Sequence, residues 1–234
     1  MATKKNRWRW VRRILASLFI LMLCYHVWIA AHVWWWVDHN PSTSAFMENS
    51  LETMQGKNPK AALRHEWLPY AQISDNLKRA LIAAEDAKFV DHEGFDWDGI
   101  ALAYEKNLKK GKIVAGGSTI SQQLAKNLFL STKRTPWRKA EKALITVMLE
   151  NIMDKQRIFE IYLNVIEWGN GVFGAEAAAQ HYFGVSASQL SPEQAARLAA
   201  MVPNPRYYDK HREARGLMNK TAIILGNMED VEIP

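Results

Sequence analysis

The sequence holds a single cysteine, Cys24, so no intramolecular disulfide can form and thiol metal sites are excluded. Alternating apolar and polar runs, the mark of half-buried strands, are nearly missing, which leaves helices to carry the fold. From Leu63 onward there is no internal repeat and no low-complexity tract. The nucleotide-cradling pattern G-x-x-x-x-G-K-[ST] is also absent, so no P-loop is present. One absence is local: residues 14–37, ILASLFILMLCYHVWIAAHVWWWV, contain no Asp, Glu, Lys or Arg in 24 positions.

A charge-free apolar run of that length exceeds the roughly 20 residues that cross a hydrocarbon layer as a helix. It predicts a single transmembrane span. Lys4, Lys5, Arg7, Arg9, Arg12 and Arg13 precede it, and no Lys or Arg follows until Lys57. The positive-inside rule therefore places the basic segment 1–13 in the cytoplasm and everything after Val37 beyond the inner membrane. Trp8 and Trp10 on one flank and Trp34, Trp35 and Trp36 on the other fall where interfacial aromatic belts form. A cleaved signal peptide would need a shorter apolar core and an A-x-A exit, whereas Ala30-Ala31 runs on into more apolar sequence. His26 and His32 inside the run read as neutral side chains at a helix interface.

A pI of about 9.3 invites a nucleic-acid partner. The charge distribution weakens that reading: six of the 30 basic residues precede the span, leaving 24 against 24 acidic ones in the exported part. The basic excess is a topology signal, and no nucleic acid is expected.

Residues 38–60 are polar, with Asn-Pro and Gly punctuation, and are expected to form a linker leading into one domain over 61–234. Apolar residues at three- and four-residue spacing mark helices in LKRALIAAEDAKF, DGIALAYEKNLKKG, STISQQLAKNLFL, PWRKAEKALITVMLENIMD, KQRIFEIYLNVIEWG, GAEAAAQHYFG and SPEQAARLAAMV. The domain is predicted to be mostly α.

In EDAKFVDHEG (85–94), Ile82, Glu85 and Phe89 stand at helical spacing, which would place the Glu85 carboxyl on an apolar face. Partial burial raises a carboxyl pKa toward the range useful for proton exchange. On this stretch alone, an ordinary solvated helix end explains the residues as well. GGSTISQQLAKNLFL (116–130) leads a glycine pair into Ser118 and Thr119, good N-caps, with Thr119, Gln123 and Lys126 on one face. A helix N-terminus with free amides, a hydroxyl and a lysine suits a phosphate, and so does a capped helix with a solvated face. PWRKAEKALITVMLE (136–150) puts Arg138 and Lys139 in a first turn, where cations oppose the helix dipole; an anionic ligand would account for that cost. A loop with three glycines follows Trp168, and a proline-bounded helix runs over 191–203.

In order and spacing, these stretches resemble the motifs of the peptidoglycan glycosyltransferase domain of class A penicillin-binding proteins. Glu85, Asp86, Phe89, His92 and Gly94 meet E-D-x-x-F-x-x-H-x-G. Residues 116–123 meet G-G-S-T-I-x-Q-Q, including Ser118, Thr119, Gln122 and Gln123, with Lys126 and Asn127 following. Arg138-Lys139, Tyr162-Leu163-Asn164 and Tyr207-Tyr208 complete the series, over roughly residues 40–230. No transpeptidase domain is expected after it, so the likeness is to monofunctional Gram-negative members.

The resemblance implies a lysozyme-like fold with head and jaw lobes, and lipid II as the substrate, with the acceptor sugar's 4-hydroxyl attacking the anomeric carbon of the donor chain. Glu85 would be the general base, the bond at the anomeric carbon would invert, and undecaprenyl diphosphate would leave. Asp86, Phe89, His92, Ser118, Thr119, Gln122, Gln123, Lys126, Asn127, Arg138, Lys139 and Lys142 would line the substrate site. A divalent cation, Mg or Mn, assists some members, but no ligand set is legible. The inner membrane, penicillin-binding proteins and division proteins are the implied partners. A glycan-cleaving lysozyme-like enzyme or a catalytically weak division scaffold are the competing readings.

One position departs from the pattern. The third motif ordinarily reads R-K-x-x-E, yet Lys142 stands where the acid belongs and Glu141 precedes it. One residue is about 100° of helix rotation. Three routes remain: Glu141 reaches round as a second catalytic acid, Glu150 contributes, or Lys142 serves the diphosphate directly. The third is favoured, because a cation acts on the leaving charge without an intermediary.

Overall fold

A computed structural model describes residues 2–112, 116–130 and 136–234; the side chains of Lys4, Lys5 and Arg7 lie outside the described residues. Eleven helices are described: α1 (Ala2–Trp35), α2 (Ala45–Gln55), α3 (Asp75–Glu85), α4 (Trp97–Lys110), α5 (Ile120–Phe129), α6 (Pro136–Ile152), α7 (Lys155–Val165), α8 (Ala175–Phe183), α9 (Pro192–Met201), α10 (Pro205–Lys210) and α11 (Arg215–Asn227). The mostly α reading holds.

The helix starts follow from local chemistry. Thr119 caps α5 by accepting from the Gln122 N–H, and Ser191 and Gln194 form a capping box at α9 with Pro192 in its first turn. Residues 38–60, expected as linker, differ: Ser44 accepts from the Met47 N–H and starts α2, whose Met47 and Ser50 are buried. Polar composition concealed a short helix held by packing on α5.

The glycine loop after Trp168 is a hairpin. β2 (Glu167–Gly169) pairs antiparallel with β3 (Val172–Phe173), which pairs parallel with β1 (Arg64–His65). Gly171 turns it at φ +72, and a Cβ there would lie 2.7 Å from the Met54 sulfur.

Helix α7 runs through the centre. Ile158, Phe159, Ile161, Tyr162, Leu163 and Val165 are wholly buried, and large side chains contribute about 1.5–3 kcal/mol each on burial. It packs on α5 and α6, while α9 is laid between α3 and α11.

Helix α1 is long and apolar enough over Trp8–Trp35 to cross a membrane, and its most apolar window is 6% buried. Its last turns differ from the rest. Ile29 and Val33 are wholly buried, and the Trp28 and Trp36 rings lie 6.4 and 5.3 Å from Phe129 of α5. Arg157 of α7 locks the exit of α1: its guanidinium donates to the carbonyls of Trp36 (2.8 Å) and His39 (2.7 Å), to Asn40 Oδ1 (3.0 Å) and to Glu160 (2.7 Å). Arg157→Ala strands two carbonyls and one carboxylate, and about 2–4 kcal/mol of stability is expected to be lost. Thermal unfolding of the full chain in detergent measures it; an unchanged midpoint would reduce these bonds to surface pairings.

Candidate active site

Helix α3 stops at Glu85. Asp86 leaves the helical conformation, with φ −165 and ψ 72, because its carboxylate is used elsewhere. Oδ1 accepts from His92 Nε2 at 2.9 Å, and Oδ2 accepts from the Ile120 N–H at 2.9 Å, so a residue of one helix end caps the start of another. The Gly94 N–H donates to His92 Nδ1 at 3.1 Å, which assigns the ring proton to Nε2, facing Asp86. The Thr119 hydroxyl donates to the Gly94 carbonyl at 2.7 Å. These bonds clip the loop after Glu85 onto the start of α5.

The helical-face argument for Glu85 and Phe89 is corrected here. The helix ends before Phe89, which reaches the core from the following turn and lies wholly buried, 5.5 Å from the Phe159 ring and 4.6 Å from the Lys155 ammonium. Asp86, Phe89 and His92 are thus held within the protein, with Asp86 still lining the cavity beside Glu85.

The clip brings Glu85 against Gln123. Gln123 Nε2 donates to Glu85 Oε2 at 2.7 Å, and the Tyr162 hydroxyl donates to Gln123 Oε1 at 3.2 Å, which fixes the amide with its NH2 toward Glu85. Burial is the leading influence on Glu85 and lifts its pKa above the ordinary 4.5; the Gln123 hydrogen bond and the charges of Lys220 and Lys126 pull the other way. Lys220, on α11, had no signal in the sequence. Only the packing of α11 on α3 brings its charge to bear.

Gly94 explains itself by space. Its φ is +83, and a Cβ would stand 2.7 Å from Thr146 Cγ2 and 3.0 Å from Glu150 Cγ. Gly94→Ala combines left-handed backbone strain with a clash in a filled core, and a loss of at least ~3 kcal/mol is expected. A midpoint within ~2 °C of the parent in thermal unfolding would contradict this. Gly117 is constrained too: its Cβ would meet Ile100 at 3.0 Å, so glycine lets α4 approach. A cavity of about 210 Å³ beside it is lined by Glu85, Asp86, Asp96, Gly99, Gly117, Ser118 and Thr119, among others.

Cations gather beside it. Lys142 Nζ donates to Gln122 Oε1 at 2.8 Å and to Ser118 Oγ at 3.2 Å, and the Lys126 ammonium sits 5.2 Å from the Phe46 ring. Burial is the leading influence lowering the pKa of both lysines; Arg138 then lowers Lys126, and Lys126, Lys139 and Arg138 lower Lys142. Cations gathered in this way repel one another, although Glu85 offsets part of that at Lys126. An anionic ligand would relieve that.

The two acids considered for the third motif each have a partner of their own. Glu141 is turned to α1, where it accepts from the Tyr25 hydroxyl at 2.8 Å. Glu150 accepts from the Ser121 hydroxyl and pairs with Lys155 at 2.9 Å. Gln122, Thr119 and Asn127 are buried on the start and inner face of α5, whereas Ser118 and Lys139 are exposed.

A helical domain with a buried carboxyl at a helix end and crowded cations beside it is that of a lysozyme-like glycosyltransferase. The chain belongs to the transglycosylase family, whose model matches residues 50–229. It is 70% identical over 223 residues to a biosynthetic peptidoglycan transglycosylase of Methylobacillus flagellatus, covering 95% of this chain and 97% of that one. A protein of the same description from Chromobacterium violaceum is 68% identical over 222 residues, covering 95% and 97%, and one from Laribacter hongkongensis is 64% identical over 226, covering 97% and 99%. The activity is peptidoglycan glycosyltransfer.

Proposed function

We propose that the chain is a membrane-anchored polymerase of lipid II that releases undecaprenyl diphosphate, with Glu85 as the base. The observation that carries this reading is the juxtaposition of one desolvated carboxyl with four cations, Lys126, Arg138, Lys139 and Lys142, that act on one another. Glu85 takes the proton of the acceptor sugar's 4-hydroxyl as that oxygen attacks the donor's anomeric carbon from the face opposite the diphosphate. The new bond is β-1,4, with inversion. Charge grows on the departing phosphate, and the cations stabilise it more in the transition state than in the ground state. Gln123, held by Tyr162, keeps the carboxyl aimed. Among the described residues no group of three His, Cys, Asp or Glu could hold a metal ion, so no residue is assigned to a divalent cation.

Helix α1 is the anchor in this reading, with the N-terminus cytoplasmic and the domain on the periplasmic side of the inner membrane. Helix α4 is the part of the jaw that meets the bilayer. Trp97, Leu102, Tyr104 and Leu108 are exposed on it, with Lys106, Lys109, Lys110 and Lys112 exposed beside them. Reversing the charge of these lysines is expected to weaken binding of the exported domain to anionic vesicles several-fold, read by flotation; unchanged binding ends the idea.

The test of the activity is product. Purified full-length protein given lipid II should yield long glycan strands. Solubilisation of preformed sacculi without polymer would show a cleaving enzyme instead.

A further inference from the structure

We propose that the cavity beside Glu85 seats one sugar ring of the acceptor, and that Asp96 is a specificity-determining residue that accepts a hydrogen bond from a hydroxyl neighbouring the one that reacts. This rests on the reading of Glu85 as the base. Asp96 stands just ahead of α4, and its carboxyl and that of Glu85 belong to residues lining the same 210 Å³. Sites for whole small molecules begin at about 300 Å³, so this space suits a single ring. Gly99, Gly116 and Gly117 line it without side chains to fill it. Each carboxyl has one oxygen engaged: Glu85 Oε2 accepts from Gln123 at 2.7 Å, and Asp96 Oδ1 accepts from the Gly99 N–H at 2.9 Å. Among the described residues, Glu85 Oε1 and Asp96 Oδ2 have no hydrogen-bond partner.

Capping α4 does not by itself explain Asp96. A cap needs one acceptor oxygen, and Oδ1 supplies it. The second oxygen has its own accommodation. Gly99 sits in the first turn of α4 with no left-handed φ to require a glycine, in a helix where glycine is a poor former. What a side chain at 99 would meet is Asp96: its Cβ would overlap Oδ2 and stand 2.8 Å from Cγ. Glycine there keeps the free oxygen where it is. One short segment then holds both carboxyls. Asp86, beside Glu85, accepts from the Ile120 N–H, and the bare Gly117 lets Ile100 of α4 come within 3.0 Å of where its Cβ would be. The base and Asp96 are thus registered against each other through residues 117–120. An ionised carboxylate only accepts, which suits a sugar hydroxyl. A ring tied by a second hydroxyl presents its 4-hydroxyl to Glu85 in one orientation, as a reacting pair requires.

Full-length enzyme in detergent tests this with Asp96→Asn, Asp96→Ser, Gly99→Ala and the Gly99→Ala/Asp96→Ser pair. Asn and Ser cap a helix as well as Asp does, so both should unfold within about 2 °C of the parent. Neither offers a second oxygen that only accepts. With lipid II each should raise KM about tenfold, the scale of one hydrogen bond to a charged group, with kcat held within about threefold. Gly99→Ala should match that loss by pushing Oδ2 aside, and the pair should be no worse than Asp96→Ser alone. A parental KM in both Asp96 variants overturns the proposal, because capping is then all that Asp96 does. Additive effects in the pair also overturn it, since Gly99 then acts without Asp96. Saturation-transfer NMR with N-acetylglucosamine, an amino sugar with a free 4-hydroxyl, separates this from the activity reading. Binding weakened at least about fivefold in Asp96→Ser supports the sugar seat even if the parent proves not to polymerise lipid II. Equal binding by parent and variant, or none by either, overturns it even if the parent does.

Discussion

A Glu85→Gln enzyme is expected to polymerise lipid II about 10²–10⁴-fold more slowly than its parent while remaining fully folded. The amide has the carboxyl's size but accepts no proton, so the loss should fall on kcat. Stability moves the other way. Glu85 has a raised pKa in the folded protein, led by burial; its stabilising influence is therefore complete below the unfolded value and is lost as pH rises through the folded one. Above the unfolded value, folding works against the ionisation of this desolvated carboxyl, a net cost that Glu85→Gln removes. The variant should unfold at a higher temperature than the parent at pH 7, with the gap closing as pH falls below about 4.5. Activity carries the same group. In the parent, kcat/KM should climb with pH through a value above the usual glutamate range, and the residual rate of Glu85→Gln should lack that limb. A variant that keeps a tenth of the parent's rate would remove Glu85 from the role of base.

Lys142 has the second large expected effect. Replaced by methionine, which keeps the length and loses the charge, it should lower kcat/KM about 10²-fold, the scale of one preorganised charge on a developing anion. Lys142→Glu should fall at least as far. A carboxylate there would partly neutralise Lys126, Lys139 and Arg138, the cations whose charges bear on this position. It would also face Gln122 and Ser118, which Lys142 now holds by donation at 2.8 and 3.2 Å. Initial rates of glycan formation decide it. A large gain on restoring glutamate at 142 would mean that the lysine is a handicap and that the charge argument has the wrong sign.

The sequence was informative wherever a local rule acts. The charge-free run at 14–37, the cap at Thr119, the box at Ser191 and Gln194, and the helical spacing through 98–111 and 136–152 all concern residues within a few positions of one another, and each reappears in the coordinates. The motif order located Glu85 and Gln123 on elements that do meet. Spacing misled at Phe89, because a buried aromatic at i+4 from a helix end need not be on the helix: the turn after Asp86 delivers it to the same core. It misled again over 38–60, where α2 draws its stability from α5 and not from its own composition.

Composition and order alone thus determined an apolar helix long enough for a membrane, a mostly helical domain and the membership of a transglycosylase family. They could do so because propensity, capping and motif order are properties of neighbours along the chain. Tertiary structure decided the rest: that Asp86 ties His92 to the start of α5, that Lys220 reaches Glu85 by charge, that Glu150 is taken by Lys155, and that Glu141 answers to Tyr25. Each of these depends on which helix lies against which, and a carboxylate's partner across 116 positions of chain is set by packing, which no local pattern encodes.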